Sequence, residues 1–293
     1  MKFYSPLRYP GGKNKAVALF RDIIEVNGMR GCVYVEPFAG GASVALGLLM
    51  EGDADRIIIN DADPSIYSFW YACINHIDEF CDKLHQIEVN TEEWQRQKEV
   101  YKHLRKNALQ GEDYDKIQLG FATFFLNRTN RSGILKGGVI GGHNQTGKYG
   151  IGVRFNRVEL EQRLRKVASL SDKIELHCMD AKAFLETQSI KWPCNTLIYC
   201  DPPYVEKGRG LYMNFFREQD HRDLAKVILG IQNQAWVVTY DKHNLIAELY
   251  HNYLHKKLML NYTAAHSRQE ISEEYIFFSQ GLQIPENVKL ANL

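Results

Sequence analysis

Short apolar runs rich in β-branched and aromatic residues recur along the chain, without the alternation of a half-exposed strand. These runs, typical of buried strands, are CVYVE (32–36), RIIIND (56–61), IELHC (174–178), TLIYCD (196–201), AWVVTY (235–240) and EYIFFS (274–279). Helical patterns lie between several of them, at 13–27, 42–51, 180–188, 220–232 and 241–250. The alternation predicts an α/β fold with a doubly wound sheet, in which the carboxyl ends of the strands share one edge.

The alternation stops between residues 65 and 170, where no strong strand run occurs. Helical patterns at 65–80, 91–109 and 115–127 precede a stretch rich in glycine and asparagine, 127–156. We therefore expect an inserted, mostly helical domain over 65–170, with an irregular or hairpin portion. The other domain would comprise 1–64 and 171–280, and residues 281–293 would form a loose tail.

Composition narrows the class of protein. The 293 residues are 45% hydrophobic and 24% charged, as in ordinary globular proteins, and no run approaches the length of a membrane span. The amino-terminal residues lack the apolar core of a signal peptide, so we expect a cytoplasmic protein. None of the six cysteines forms a C-x-x-C pair, which predicts reduced thiols and no metal site.

Charge is concentrated in the insertion. The whole chain has a net charge of +1, but residues 128–166 carry nine basic and two acidic residues, a net charge of +7. Arginine, asparagine and glutamine can pair with base edges, so this stretch favours nucleic-acid contact over an ordinary solvated loop. The candidate DNA-binding residues are Arg128, Asn130, Arg131, Lys136, Asn144, Gln145, Lys148 and Arg154.

The stretch YCDPPY, residues 199–204, carries the clearest chemistry. Asp201 follows a strand, where its carboxylate would lie at the ligand-binding edge of the sheet. Pro202 and Pro203 stiffen the backbone and lack N–H groups, and their carbonyls can accept hydrogen bonds. Together with the ring of Tyr204, these acceptors suit a flat heterocycle that bears an amino group. A stiff turn without chemistry is the alternative.

Two other stretches suggest a nucleoside ligand. Gly40 and Gly41 follow the strand CVYVE and permit a close backbone approach, although a tight turn needs them too. Asp61 ends the second strand, where an acid can accept from ribose hydroxyls, and the glycine pattern does not indicate a pyrophosphate. S-adenosylmethionine fits both features, since it has a ribose and no phosphate.

Two weaker signals point to the same ligand. Asp180 either accepts from the adenine amine of S-adenosylmethionine or caps the following helix. The stretch YPGGK (9–13) allows close approach to a ligand, but a plain turn is the alternative.

Together these stretches resemble the motifs of the Dam-like (D12 class) DNA adenine N6-methyltransferases, both in their residues and in their order along the chain. The resemblance covers most of 5–280 and is strongest at YPGGK, VEPFAGGASV, NRTNRSGILKGG, GKYGIGVRFN and YCDPPY. It implies a Rossmann-like methyltransferase sheet, S-adenosylmethionine as cofactor, catalysis by Asp201, Pro202, Pro203 and Tyr204, and target recognition by the insertion. The expected cofactor contacts are Tyr9, Gly11, Gly12, Lys13, Glu36, Pro37, Phe38, Ala39, Gly40, Gly41, Asp61, Asp180 and Asp201.

The expected reaction moves a methyl group to N6 of an adenine that is flipped out of duplex DNA. Transfer would be direct, because Cys200 should point into the core rather than act as a nucleophile. The alternatives are a cytosine-N4 or RNA amino methyltransferase, a nicotinamide dehydrogenase, and a catalytically silent DNA-binding module. We expect double-stranded DNA as the partner, a monomer, no membrane, and no stable complex with any cognate restriction endonuclease. The resemblance suggests GATC as the target.

Overall fold

In a computed structural model of the protein, the chain is described at residues 4–8, 16–205, 216–261, 271–285 and 290–291. Contacts divide the chain into two compact units. Unit 1 takes Asp63–Cys178 together with residues 4–8, and unit 2 takes the described residues of Lys13–Ala62 and Met179–Leu293. The predicted insertion over 65–170 falls within unit 1.

Outside the insertion, helices and strands alternate along the described chain as far as β6. The strands are β1 (Cys32–Glu36), β2 (Ala54–Asn60), β3 (Ile174–His177), β4 (Thr196–Cys200), β5 (Ala235–Asp241), β6 (His255–Asn261), β7 (Ile271–Phe278) and β8 (Leu290–Ala291). The α-helices are α1 (Ala16–Val26), α2 (Ser43–Glu51), α3 (Pro64–Asn75), α4 (Ile77–Gln86), α5 (Thr91–Leu109), α6 (Lys116–Thr129), α7 (Arg157–Ala168), α8 (Ala181–Gln188), α9 (Glu218–Leu229) and α10 (Asn244–Leu249). Short 3-10 helices lie at Arg131–Gly133, Ile151–Arg154, Ser171–Lys173 and Ser189–Lys191.

The sheet of unit 2 has the strand order β2-β1-β4-β5-β7-β6-β8. Strand β1 is parallel to β2 and β4, and β4 is parallel to β5, whereas β7 runs antiparallel to β5 and β6. Val35, Ile58, Ile198 and Val238 on the four parallel strands belong to one buried cluster, as their apolar runs predict. The predicted α/β class with a doubly wound sheet is confirmed.

Two parts of the segment after residue 280 form hydrogen bonds within unit 2. The backbone N–H of Gln283 donates to Oδ1 of Asn27 at 2.8 Å, and Nδ2 of Asn27 donates to the carbonyl of Gln283 at 2.9 Å. Leu290–Ala291 also pairs with β6. Side-chain and sheet hydrogen bonds therefore hold the backbone at these described positions. A loose tail over 281–293 stays a prediction.

Unit 1 is mostly helical over the part that the structure describes, as predicted. Aromatic side chains fill its core: the rings of Phe69 and Phe124 stack at 5.8 Å, and those of Phe80 and Phe121 meet at 5.2 Å. The helical pattern 65–80 is interrupted at His76, whose φ of −136° and ψ of 43° are not helical. Helix α3 therefore ends before His76, and α4 begins after it as a separate helix.

Candidate functional site

The carboxyl ends of the parallel strands of unit 2 meet at one edge of the sheet. Glu36, Asn60 and Asp241 are the last residues of β1, β2 and β5, and Asp201 directly follows β4. Polar and acidic side chains thus end four neighbouring strands. This is the edge at which open α/β sheets bind ligands.

The loop after β1 is bound to the end of β2. The N–H of Gly40 donates to Oδ2 of Asp61 at 2.9 Å, and the N–H of Ala39 donates to the carbonyl of Asn60 at 2.9 Å. Gly40 has a φ of 45°, in the left-handed region that glycine adopts without strain. Glu36 is buried, and its Oε1 accepts from the N–H of Ala45 in the first turn of α2 at 2.9 Å. Of the predicted residues of 36–41, Gly40 contacts Asp61 and Ala39 contacts the neighbouring Asn60.

Asn60 is a residue of this edge that the sequence did not single out. Its side chain is fully buried, and its Nδ2 donates to the carbonyls of Pro37 and Met179, each at 3.0 Å. Its Oδ1 accepts from the N–H of Met179 at 2.9 Å. One amide therefore joins the loop after β1 to the segment before Asp180. An amide directly before an acid at a strand end was the only signal for it.

Asp180 performs one of its two predicted roles in the structure. It is exposed, and its Oδ1 accepts from the N–H of Ala183 at 3.1 Å, which caps α8. Contact with an adenine amine stays a prediction.

The carboxylate of Asp201 is held by the neighbouring strand. The hydroxyl of Thr239 on β5 donates to Oδ1 of Asp201 at 2.6 Å, and Tyr199 Oη lies 3.0 Å from Thr239 Oγ1. Asp201 is half-buried, while Pro202 and Pro203 are buried. A hydrogen bond from Thr239 fixes the direction of the carboxylate at the end of β4, beside a rigid turn.

Tyr204 is more enclosed than an open aromatic platform would be. Its side chain is 7% exposed, and its hydroxyl donates to Oε1 of Glu274 on β7 at 2.5 Å. The next N–H, that of Val205, donates to Oδ1 of Asp241 at 3.0 Å. Stacking of Tyr204 on a base stays a prediction. Glu274 and Asp241 were not singled out from the sequence.

Cys200 lies in the core, as predicted. It is fully buried, and burial raises the pKa of its thiol well above the ordinary value. The thiol stays protonated near neutral pH, which makes it a poor nucleophile.

Four predicted cofactor residues, Tyr9, Gly11, Gly12 and Lys13, lie outside the described residues. The segment just before them is anchored by Asn127 on α6. Its Oδ1 accepts from the N–H of Arg8 at 2.7 Å, and its Nδ2 donates to the carbonyls of Arg8 at 2.7 Å and Gly133 at 2.9 Å. The buried side chain of Asn127 therefore fixes the chain directly ahead of the YPGGK stretch.

Two of the predicted DNA-binding residues are buried in unit 1. Asn130 accepts from Nε1 of Trp94 at 2.6 Å and donates to the carbonyls of Ile134 and Leu135. Arg128 donates to the carbonyl of Arg154 through Nε at 2.9 Å and Nη2 at 2.7 Å, and burial lowers its pKa to about 9. Both side chains have structural tasks here, and their contact with DNA stays a prediction.

The other candidates occupy the irregular stretch. Gln145 is half-buried and shapes it, because its Nε2 donates to the carbonyls of Ile140 and Gly142 and its Oε1 accepts from the N–H of Ile151. The remaining candidates are exposed: Arg131, Lys136, Asn144, Lys148 and Arg154. We call these five residues the exposed loop set.

Basic residues of α7 form ion pairs, whereas those of the exposed loop set do not within the described chain. On α7, Arg163 pairs with Glu159, and Arg165 pairs with Glu161 at 2.8 Å. Within the part of the chain that the structure describes, no basic residue of the exposed loop set forms an ion pair. The excess positive charge therefore lies on the irregular stretch rather than on the helix.

The described residues form neither a metal site nor a membrane span. No group of three or more His, Cys, Asp or Glu side chains could hold a metal ion there. No described helix has both the length and the apolar character that a membrane crossing requires.

The chain is similar to proteins of known family. A model of the family D12 class N6 adenine-specific DNA methyltransferase matches residues 9–265. The chain is 23% identical over 232 residues to the type II methyltransferase M.MjaIII of Methanocaldococcus jannaschii, covering 76% of this chain and 77% of that protein. It is 24% identical over 226 residues to the retron Ec67 DNA adenine methylase of Escherichia coli, covering 75% and 73%. The SAM-dependent methyltransferase from Agrobacterium tumefaciens matches 90% of this chain and 60% of its own, with 12% identity and a TM-score of 0.42.

Proposed function

The chain belongs to the D12 class N6 adenine-specific DNA methyltransferase family, and from that premise we propose how its residues carry out the reaction. The enzyme is an S-adenosylmethionine-dependent DNA adenine methyltransferase. Separate groups of residues bind the cofactor, hold the adenine and contact the DNA.

Asp201 and the carbonyl of Pro202 accept hydrogen bonds from the two N–H groups of the adenine amine. The observation that carries this proposal is the 2.6 Å hydrogen bond from Thr239, which orients the Asp201 carboxylate at the carboxyl end of β4. The lone pair of the N6 nitrogen is normally delocalised into the ring, and two such acceptors favour a pyramidal nitrogen. A fixed carboxylate stabilises this arrangement without reorganisation during the reaction.

The residues after β1 and β2 suit S-adenosylmethionine. Asp61 offers a carboxylate to ribose hydroxyls, and the loop 36–41 is held beside it by the Gly40 hydrogen bond of 2.9 Å. The left-handed φ of Gly40 lets this backbone bend without strain. We assign cofactor contacts to this loop, Asp61 and Asp180, with Tyr9, Gly11, Gly12 and Lys13 assigned by family membership.

When bound, S-adenosylmethionine supplies an electrophilic methyl group on a sulfonium centre. The chain contributes orientation and electrostatics, and no covalent enzyme intermediate is needed. The buried, protonated thiol of Cys200 agrees with direct transfer. Tyr204 contributes its ring to the adenine pocket.

The target base reaches this pocket from duplex DNA only when it is flipped out, which costs a few kcal/mol. The exposed loop set offsets part of that cost through contacts with phosphates and bases. Arg131, Lys136, Lys148 and Arg154 supply charge, and Asn144 supplies an amide for a base edge. The target sequence follows from these contacts, with GATC as the first sequence to test.

The decisive test compares wild type with Asp201→Ala and with Asp172→Ala, an exposed acid of unit 1. We expect Asp201→Ala to lose transfer of labelled methyl groups to duplex DNA while it keeps its affinity for S-adenosylmethionine. Asp172→Ala should behave as wild type. Full activity of Asp201→Ala would refute the assignment.

The product identifies the substrate atom. Mass spectrometry of nucleosides from methylated DNA should show N6-methyladenine, and the same assay on RNA should show no product. N4-methylcytosine or methylated RNA would instead support the corresponding amino methyltransferase. Sequencing of the methylated bases in a host that expresses the protein would reveal the target.

A further inference from the structure

Two acids from different strands contact the segment that follows β4. Asp241 ends β5 and Glu274 lies on β7, and the two residues are partners in the antiparallel register of these strands. Both are buried, with 4% and 0% of their surface exposed. Burial of a carboxylate costs free energy unless hydrogen bonds satisfy it, so such acids are uncommon inside a sheet.

Each acid accepts a hydrogen bond from the same short segment. Oε1 of Glu274 accepts from the hydroxyl of Tyr204 at 2.5 Å, and Oδ1 of Asp241 accepts from the N–H of Val205 at 3.0 Å. The 2.5 Å distance lies at the short end of the range for hydrogen bonds between hydroxyl and carboxyl groups. The neighbouring strands β5 and β7 therefore each hold this segment through one hydrogen bond.

The position of Tyr204 depends on this contact. The backbone at Pro202 and Pro203 is stiff, but the ring of Tyr204 can still turn about its side-chain bonds. The hydrogen bond to Glu274 removes that freedom, since it fixes the far end of the ring. A residue that contacts a reacting base must be held closely, because small displacements lower the rate strongly.

We propose that Glu274 is a positioning residue for methyl transfer, which acts by fixing the ring of Tyr204 beside the acceptors of Asp201 and Pro202. This inference rests on the proposed function. Glu274 does not contact the substrate, and its effect is carried by the hydroxyl of Tyr204. Its loss should therefore lower kcat rather than the affinity for S-adenosylmethionine.

The test is a double-mutant cycle on the full-length protein, with kcat for labelled methyl transfer and the cofactor Kd as readouts. Glu274→Ala and Tyr204→Phe should each lower kcat about tenfold or more, because each removes a hydrogen bond to a charged group. The double variant should be no slower than the slower single variant, since both changes delete one contact. Glu274→Gln should recover most of the rate, because its amide oxygen can still accept from the hydroxyl.

Ser279→Ala is the matched structural control, because Ser279 Oγ accepts from the N–H of Trp236 at the other end of the β5–β7 pair. It should leave kcat within about twofold of wild type. Equal losses of kcat in Ser279→Ala and Glu274→Ala, or additive effects in the cycle, would overturn the inference.

The activity of the wild-type protein in the same assay distinguishes a failure of the proposed function from a failure of the inference about Glu274. A wild type that transfers no methyl group to adenine would reject the proposed function and this inference with it. An active wild type together with an unchanged kcat in Glu274→Ala would reject this inference alone. If Glu274→Ala does not fold, Tyr204→Phe decides: an unchanged kcat in that variant rejects the inference.

Discussion

The hydroxyl of Thr239 donates a 2.6 Å hydrogen bond to Oδ1 of Asp201, and these residues come from the ends of neighbouring parallel strands. Tyr199 Oη lies 3.0 Å from the same hydroxyl. Thr239 is buried, so its hydroxyl has no bulk water as an alternative partner. The direction of the Asp201 carboxylate is thus set by β5, not by its own loop alone.

Replacement of Thr239 should therefore affect catalysis. We expect Thr239→Val, which keeps the shape but lacks the hydroxyl, to lower kcat about tenfold through a misaligned carboxylate. Thr239→Ser should retain most of the rate. Steady-state kinetics with labelled S-adenosylmethionine would measure both, and equal rates in Thr239→Val and wild type would contradict the expectation.

Asp180 offers a test that separates cofactor contact from helix capping. Serine caps helices about as well as aspartate, so Asp180→Ser should change the free energy of unfolding by less than about 0.5 kcal/mol. Its shorter side chain cannot replace a carboxylate that reaches an adenine amine. We therefore expect the Kd for S-adenosylmethionine to rise several-fold in calorimetric titration. An unchanged Kd would leave capping as the only role of Asp180.

Much of the sheet could be predicted from the sequence because its central strands are apolar on both faces. The run CVYVE coincides with β1, and TLIYC with β4. The strand β6, HKKLMLN, was not predicted, because two lysines interrupt its apolar pattern. Its place is decided by pairing with β7, which is a tertiary contact rather than a local preference.

The site could be predicted only where its residues adjoin strand ends. Asp61 and Asp201 are visible as acids after apolar runs, but Glu274 lies 70 residues from Tyr204 and is found only from the strand register. Which charged side chains are buried could not be predicted from the sequence either. A count of charges treats Arg128 and Arg131 alike, whereas packing encloses the first and exposes the second.

Asn60 should matter for stability as well as for the cofactor loop. Asn60→Ala would leave the carbonyls of Pro37 and Met179 and the N–H of Met179 without this buried partner. We expect the free energy of unfolding to fall by about 2 to 4 kcal/mol, and cofactor affinity to fall with it. Denaturant unfolding would measure the loss. Asn195→Ala, an exposed asparagine before β4, is the control and should change stability little.

The exposed loop set should give DNA binding its dependence on salt. Arg131, Lys136 and Lys148 are exposed and form no ion pair with described residues. Each one that contacts a phosphate releases about one counterion on binding. We therefore expect each alanine variant to weaken DNA binding and to reduce the slope of log K against log salt concentration by about one. Fluorescence anisotropy at several salt concentrations would measure both.

Two further variants serve as comparisons for the exposed loop set: one is a control for DNA binding and the other tests a structural role. Lys191→Ala, an exposed lysine of unit 2, should leave both affinity and salt slope unchanged. Arg128→Met should instead lower the free energy of unfolding, because the carbonyl of Arg154 loses its two hydrogen bonds from the guanidinium. If the exposed variants kept the wild-type salt slope while Lys191→Ala reduced it, the positive charge on the irregular stretch would not be the DNA-binding surface.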